Sequence, residues 1–367
     1  MINRLILANL TRRPIRSLVS IVAVAMEVVL ILMVVGLVNG MIHDHQRRIS
    51  GIGADVLVRA GGGAIFAELS GNTLPLEEAA VFARQPGVEA VAPVAYKLAG
   101  DGTTAVGGLD PASFDAVSGG FRFLQGGMFE PGKDQIIVDN LQADIKNYKV
   151  GERIPLLGQT FTIAGIFEQG MGSRMYIALA RLDQLAGTPD KAATFFVKTR
   201  PGADQAAVVA ELQKLAPAQK AQSLKDYLSL ITPSGVSPML PVFQRVMIGI
   251  AVAIGFLVIF LSLYTAVLER TREIGILKAL GASRGYIVRV ILRESELLAV
   301  VGVIVGSLVA FAGWQTLAQV YPTLTVEMTW AWIGIAAAIA LASSAVGALY
   351  PAFKAASQDA VVALAYE

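Results

Sequence analysis

The sequence predicts a membrane-embedded helical protein with four transmembrane helices and a large α+β domain inserted between the first and the second. Three observations predict it. The 367 residues are 54% hydrophobic and only 16% charged, with a mean hydropathy of +0.60; an ordinary soluble domain carries about 25% charged residues. The apolar residues gather in four runs, each long enough to cross about 30 Å of hydrocarbon at 1.5 Å per helical residue. About 200 residues of soluble composition separate the first run from the second, enough for one or two compact domains.

Residues 1–16 form a basic, amphipathic entry with Arg4, Arg12, Arg13 and Arg16 and no acid. The first run, Leu18 to Val38, places a helix over 17–41, with Glu27 as its single interruption. Ala23-Val24-Ala25 looks like a signal-peptide cleavage site, but it would leave an apolar region of only Leu18 to Val22. An uncleaved anchor is the better reading. The second run, Val246 to Leu268, carries no charge and places a helix over 245–268. The third, Leu297 to Trp314, places one over 294–314, with an earlier start near Ile287 open. The fourth, Trp330 to Leu349, is rich in Ala and Gly and places one over 329–350.

Orientation follows from the basic residues of the short flanks. The N-terminus and the 269–293 loop, with Arg270, Arg272, Lys278, Arg284 and Arg289, are basic. The 315–328 loop has no Lys or Arg. Both termini, the 269–293 loop and the 351–367 tail are therefore expected in the cytoplasm, and 42–244 outside the inner membrane. Trp314, Trp330 and Trp332 fall at the outer ends of the third and fourth helices, as an aromatic belt does.

The external domain mixes strands and helices in no strict βαβ order, which predicts an α+β fold. Strands are expected at 55–59, 88–94, 103–106, 136–138 and 194–198. Short helices are expected at 76–84 and 141–148. Ile154 to Leu157 and Phe161 to Phe167 read as a hairpin joined by Gly158-Gln159. Asp204 is placed to cap a helix reaching Leu215.

No catalytic constellation is visible. The chain has no cysteine, which excludes disulfides, thiolate metal sites and a cysteine nucleophile. A net charge of +2 is too small for a nucleic-acid binder. His43 and His45, with Asp44 between them, are read as a polar flank just outside the first helix; they are the weak candidates for metal or haem ligation. Asp110, Asp115, Asp134 and Asp139 are read as solvated loop acids.

The most informative segment is Glu269-Arg270-Thr271-Arg272-Glu273-Ile274-Gly275-Ile276-Leu277-Lys278-Ala279-Leu280-Gly281-Ala282-Ser283. Ile274, Leu277 and Leu280 recur every three residues as an apolar stripe, Gly281 suits a left-handed helix end, and Ser283 suits the cap of the next helix. Such a stripe must bury against the membrane or a partner. Glu27 sits in mid-membrane, where a charge costs at least a few kcal/mol. Two roles stay open for it: lining an interface or substrate path, or a packed, protonated or paired group. Met26, Met33 and Met41 share its helix and suit packing or an adaptable surface.

The run ERTREIGILKALGAS resembles the signature of the MacB/LolC/FtsX-type permeases, the type VII ABC transporters. The resemblance extends to NLTRRPIRSLVSIVAV at the start, to GVEAVAPV and VGERIPLLGQTFTIAGIFE in the external domain, and to YPAFKAASQDAVVALAYE at the end. Ala360 and Ala365 depart from the residues usual there, Pro and Arg. The resemblance implies a MacB-like periplasmic core domain and a cytoplasmic coupling helix, here Glu269 to Ala282, docking on an ABC ATPase subunit. Glu269, Arg272, Glu273, Ile274, Gly275, Leu277, Lys278, Ala279, Leu280, Gly281 and Ala282 are its expected contact residues.

The chain has no G-x-x-x-x-G-K-[ST] loop, so ATP and Mg are expected on a separate ATPase subunit and no cofactor on this chain. Four helices are few for a translocation unit. A second permease chain, identical or not, is therefore expected, along with a periplasmic adaptor or substrate acceptor and membrane lipids. The implied function is mechanotransmission that exports or extracts an amphipathic lipoprotein, lipid, peptide or drug. The alternatives are an FtsX-like regulator of cell-wall hydrolases and a haem or metal exporter using Glu27, Met41, His43 and His45.

Overall fold

The computed structural model describes residues 14–60, 73–99, 105–232, 239–269, 271–321 and 324–358. Gly61-Gly62-Gly63, Gly102-Thr103-Thr104, most of the basic N-terminal segment and the tail from 359 lie outside them. The chain divides into two compact units. One gathers the helical segments up to Asn39, Val242–Val320 and the chain from Val326; the other gathers Gly40–Pro241 with Tyr321–Thr325.

Helix α1 runs Pro14–Gly51. It outlasts the apolar run because Ile42 to Ser50 contains neither Pro nor Gly to stop it. His43 and His45 are thus helical residues, which corrects their placement outside the helix.

The sheet domain follows in order: β1 Val56–Ala60, β2 Leu74–Pro75, α2 Glu77–Ala83, β3 Val88–Leu98, β4 Ala105–Leu109, α3 Pro111–Ser118, β5 Phe123–Gly126, β6 Gln135–Asp139, α4 Asn140–Lys146, β7 Arg153–Leu156, β8 Gln159–Phe167, β9 Met175–Ala178, α5 Leu179–Ala186, β10 Lys191–Ala192, β11 Thr194–Thr199, α6 Gln205–Leu215, β12 Gln219–Ser223 and α7 Leu224–Leu230. Ten of the strands form one mixed sheet, ordered β12-β1-β11-β3-β4-β9-β6-β8-β5 with β7 beside β8. β4 runs parallel to β9, and β6 to β8; the other pairs are antiparallel.

The expected hairpin is present as β7 and β8, with Leu157 and Gly158 both at positive φ, the turn that matches strand twist. The Asp204 carboxylate accepts from Ala206 N–H at 3.0 Å, as the expected cap of α6. Side-chain alternation splits the core. Val56, Val58, Phe195 and Val197 pack with Phe82 of α2 and Val208 and Leu212 of α6. Ile136, Val138, Phe161, Ile163, Met175 and Ile177 pack with Leu179 and Leu182 of α5. Tyr176, one position out of phase with Met175 and Ile177, stands on the opposite face of β9 beside Phe114, Phe121 and Phe167.

Four helices complete the chain: α8 Met239–Glu269, α9 Thr271–Ala279, α10 Arg284–Val320 and α11 Trp330–Ser357. α1, α8, α10 and α11 are long and apolar enough to cross a membrane. Over its most apolar window α1 is 56% buried, against 28–33% for the others, so α1 is the central helix of the unit. α10 approaches it closely because Gly306 has no side chain: a Cβ there would lie 2.7 Å from Ala25 O. Hydroxyl pairs pin the seams, Ser20 Oγ to Ser262 Oγ and Ser295 Oγ to Ser344 Oγ, both at 2.7 Å. Outward, Val246, Ile250, Ile254, Leu257 and Leu261 form an exposed helical stripe on α8, a surface suited to hydrocarbon rather than water.

Candidate functional site

The segment after the second membrane helix is helical and closes at Gly281. Glu269 is the last residue of α8, and α9 holds Arg272 to Ala279. Gly281 has φ +94°. Its N–H donates to Lys278 O at 2.9 Å, and Ala282 N–H donates to Leu277 O at 3.0 Å. These two bonds are the Schellman end of a helix, which needs a residue without Cβ strain. Ser283 Oγ then accepts from Tyr286 N–H at 3.3 Å to start α10, ten residues earlier than the 294 start. Gly281→Ala should cost about 1 kcal/mol. Hydrogen exchange at positions 281 and 282 should then speed up about fivefold, with α10 unchanged.

The apolar stripe is distributed differently from the sequence pattern. Ile274 is buried in the helical unit, Leu277 is half-buried, and Leu280 is 80% exposed. Three-residue steps drift about 60° each around a helix of 3.6 residues per turn, so three such positions cannot share one face. Ile276, absent from the stripe, is exposed one turn before Leu280 and shares its face. Gly275 is buried, Arg272 and Ala279 are exposed, Ala282 is half-buried, and Glu273 lies within α9. Lys278 Nζ donates to Gln358 O, joining α9 to the end of α11. The segment therefore presents an apolar pair, Ile276 and Leu280, flanked by Arg272 and Ala279.

Glu27 is buried between three helices. Ser343 Oγ of α11 lies 3.0 and 3.1 Å from its two carboxyl oxygens, and a Cβ at Gly255 of α8 would fall 2.0 Å from Oε2. No local signal points to Ser343 or Gly255, which stand more than two hundred residues away. Met26 and Met33 are not gathered with Glu27: Met26 is exposed, and Met33 is half-buried with its methyl toward Gly313. Within one chain Glu27 is a packed, hydrogen-bonded group.

The histidines diverge. Two helical residues two apart point to nearly opposite sides; His43 is exposed and His45 half-buried. Among the described residues no three His, Cys, Asp or Glu side chains gather as metal ligands. Asp44, between them, serves an ion-pair network instead. Arg48 Nε stands 3.0 Å from Asp44 Oδ2, and Arg174 reaches Asp44 at 3.2 Å and Asp139 at 3.1 Å. Arg48 also donates to Gly172 O at 3.2 Å, and Gln46 donates to Leu228 O and Ile231 O at 3.2 and 3.0 Å. The last turns of α1 are thus braced on both sides within the sheet domain.

This corrects the reading of Asp139 as a solvated loop acid. It is buried at the end of β6, where its Oδ1 caps α4 through Gln142 N–H at 2.7 Å. Burial pushes its carboxyl above the usual range, and the Gln142 N–H and the Arg174 charge partly offset that. Asp110 likewise caps α3, Asp115 lies inside that helix, and Asp134 pairs with Arg181 at 2.7 Å. An aspartate just before a helix carries a capping signal. A partner 35 residues on carries none.

Comparison with known proteins agrees with this architecture. The MacB-like periplasmic core domain matches over residues 17–215, and the FtsX-like permease C-terminal domain over 245–360. The chain is 25% identical over 237 residues to an uncharacterized ABC transporter permease, YknZ, of Bacillus subtilis, covering 60% of this chain and 58% of that one. It is 26% identical over 390 residues to the macrolide export ATP-binding/permease protein MacB of Sodalis glossinidius, covering 96% of this chain and 58% of that one. The chain thus spans less than two thirds of the length of these relatives. The periplasmic region of MacB from Actinobacillus actinomycetemcomitans superposes with a TM-score of 0.39 at 14% identity, covering 50% of this chain and 95% of that structure. With both halves of the chain matched in order, it belongs to the family of membrane proteins that join a MacB-like extracytoplasmic core domain to an FtsX-like permease region.

Proposed function

We propose that the chain is the permease subunit of an ATP-driven ABC transporter of the MacB/FtsX type, working by mechanotransmission. The observation that carries this reading is the exposed pair Ile276 and Leu280, the first in α9 and the second at its glycine-closed end. An exposed apolar helix face is suited to fill a groove on a partner. The partner is an ABC ATPase bearing the phosphate loop that these residues lack, with ATP and Mg on it. The segment lies on the cytoplasmic side, as the basic flanks favour.

In this reading ATP binding moves α9, and α1 carries the motion. α1 is one helix whose middle is packed by three others and whose last turns are braced by Arg174 and Gln46. The extracytoplasmic domain then expels or extracts an amphipathic substrate at the outer side of the inner membrane. A second permease chain completes the unit. Haem or metal export finds no support in the divergent His43 and His45.

Leu280→Asp places a charge in the proposed interface while leaving the core untouched. With the ATPase co-expressed, its affinity for the permease should fall at least 30-fold, the size of a hot-spot loss of about 2 kcal/mol. Undiminished co-purification and permease-dependent ATP turnover in this variant would defeat the coupling role.

A further inference from the structure

The extracytoplasmic domain holds a pocket apart from the coupling segment. β4 and β9 run parallel and end level with each other, at Leu109 and Ala178, and each passes directly into a helix, α3 and α5. Crevices beyond the carboxyl ends of parallel strands are recurrent ligand sites. Here the crevice has a volume of about 480 Å³, within the range of small-molecule sites. Its apolar wall includes Leu76, Leu109, Phe129 and Pro189.

Its charge has one sign. Asp110, Asp183 and Asp190 line it, and no Lys, Arg or His among the described residues does. Bases close to the lining in sequence or in the sheet are engaged elsewhere: Arg181 with Asp134 at 2.7 Å, Lys133 with Glu130 at 2.7 Å, and Lys97 Nζ with Leu185 O at 2.5 Å. Lys191 is exposed. Asp110 is accounted for, since its Oδ2 caps α3. Asp183 is not. It is 6% exposed, and its Oδ1 has no hydrogen-bond partner among the described residues. It also sits in the second half of α5, where the helix dipole is negative. A buried carboxylate oxygen with no donor, beside two further acids and an apolar wall, lacks a cation.

We propose that this pocket binds an ammonium group carried on a small apolar body, with Asp183 as the counter-charge. Asp190 adds field, and the apolar wall takes the ligand's hydrocarbon. The site does not depend on the transport reading, because it is built entirely within the extracytoplasmic domain.

Burial, then the neighbouring Asp190 charge, push the Asp183 carboxyl up to about 6. At neutral pH it is mostly ionised and unpaired, so its ionisation opposes folding. That penalty fades as pH falls through about 6 and is gone below the usual carboxylate range. Asp183→Asn should therefore melt higher than the parent at pH 7.5 and level with it at pH 4, which also shows that the variant folds.

The test uses the full chain in detergent, titrated with phenethylamine and, as the neutral isostere, 2-phenylethanol. The parent should bind the amine at least tenfold more tightly than the alcohol. Asp183→Asn should lose at least tenfold in amine affinity and none in alcohol affinity. Ala180→Trp, an exposed rim position, should weaken both. A parent that does not distinguish amine from alcohol, or an Asp183→Asn variant that binds the amine as the parent does, overturns the proposal. Loss of ATPase coupling in Leu280→Asp with amine binding intact would separate the two readings.

Discussion

Arg174→Ala should destabilise the extracytoplasmic domain by about 3–5 kcal/mol, the cost of removing one partner from a buried ion pair. The reason is what the substitution leaves behind. Asp139 is 2% exposed at its side chain and already above the usual carboxylate range, so without Arg174 it holds a buried charge against a single capping N–H. Asp44 loses one of its two cations at the same time. In a unit of this size the melting temperature should fall by roughly 10 °C. Arg122→Ala is the control. Its partner Glu168 is 50% exposed and Arg122 itself 80%, so about 0.5 kcal/mol or less is expected there. Thermal melts of the purified full chain check both. Equal shifts for the two variants would remove the brace as a stabilising feature.

The second large effect is expected at Gly306. Gly306→Val puts a branched side chain where even a Cβ would stand 2.7 Å from Ala25 O and 2.9 Å from Ala25 Cα. Both are backbone atoms of the central helix and cannot rotate away. α1 and α10 must separate, and packing between membrane helices depends on such close approach. The expected outcome is loss of most of the monodisperse protein on gel filtration in detergent. Gly249→Val tests specificity, because nothing lies within 4 Å of its would-be Cβ; its yield should match the parent's.

The membrane helices were legible because span length and charge exclusion act on any single run of sequence. Their ends were less so. α1 continues to Gly51 and α10 begins at Arg284 through polar turns that hydropathy assigns to loops. Local chemistry was readable at the Gly281 and Ser283 helix ends, the Asp204 cap and the β7–β8 hairpin, whose turn falls at Leu157-Gly158, one residue before the expected Gly158-Gln159. In each, the group that needs a partner and the group that supplies it are neighbours in sequence. The functional surfaces were harder to read. The face of α9 was misplaced because a three-residue repeat drifts around a helix, and only its neighbours reveal that Ile274 faces in and Ile276 out. The Glu27–Ser343 contact, the Arg174 brace and the crevice holding Asp183 join residues far apart, and no local signal marks such pairs.

The proposed coupling of this chain to a cytoplasmic ATPase through α9 can be tested with one chemical handle, since the sequence contains no cysteine. Leu280→Cys and Leu124→Cys, both at exposed positions, should be compared in intact cells that also express the ATPase. Leu280→Cys should resist a membrane-impermeant maleimide and cross-link to the ATPase through a short bismaleimide, while Leu124→Cys labels fully and forms no such cross-link. Labelling of Leu280→Cys from outside, or its failure to cross-link while the assembled complex hydrolyses ATP, would contradict the role assigned to α9.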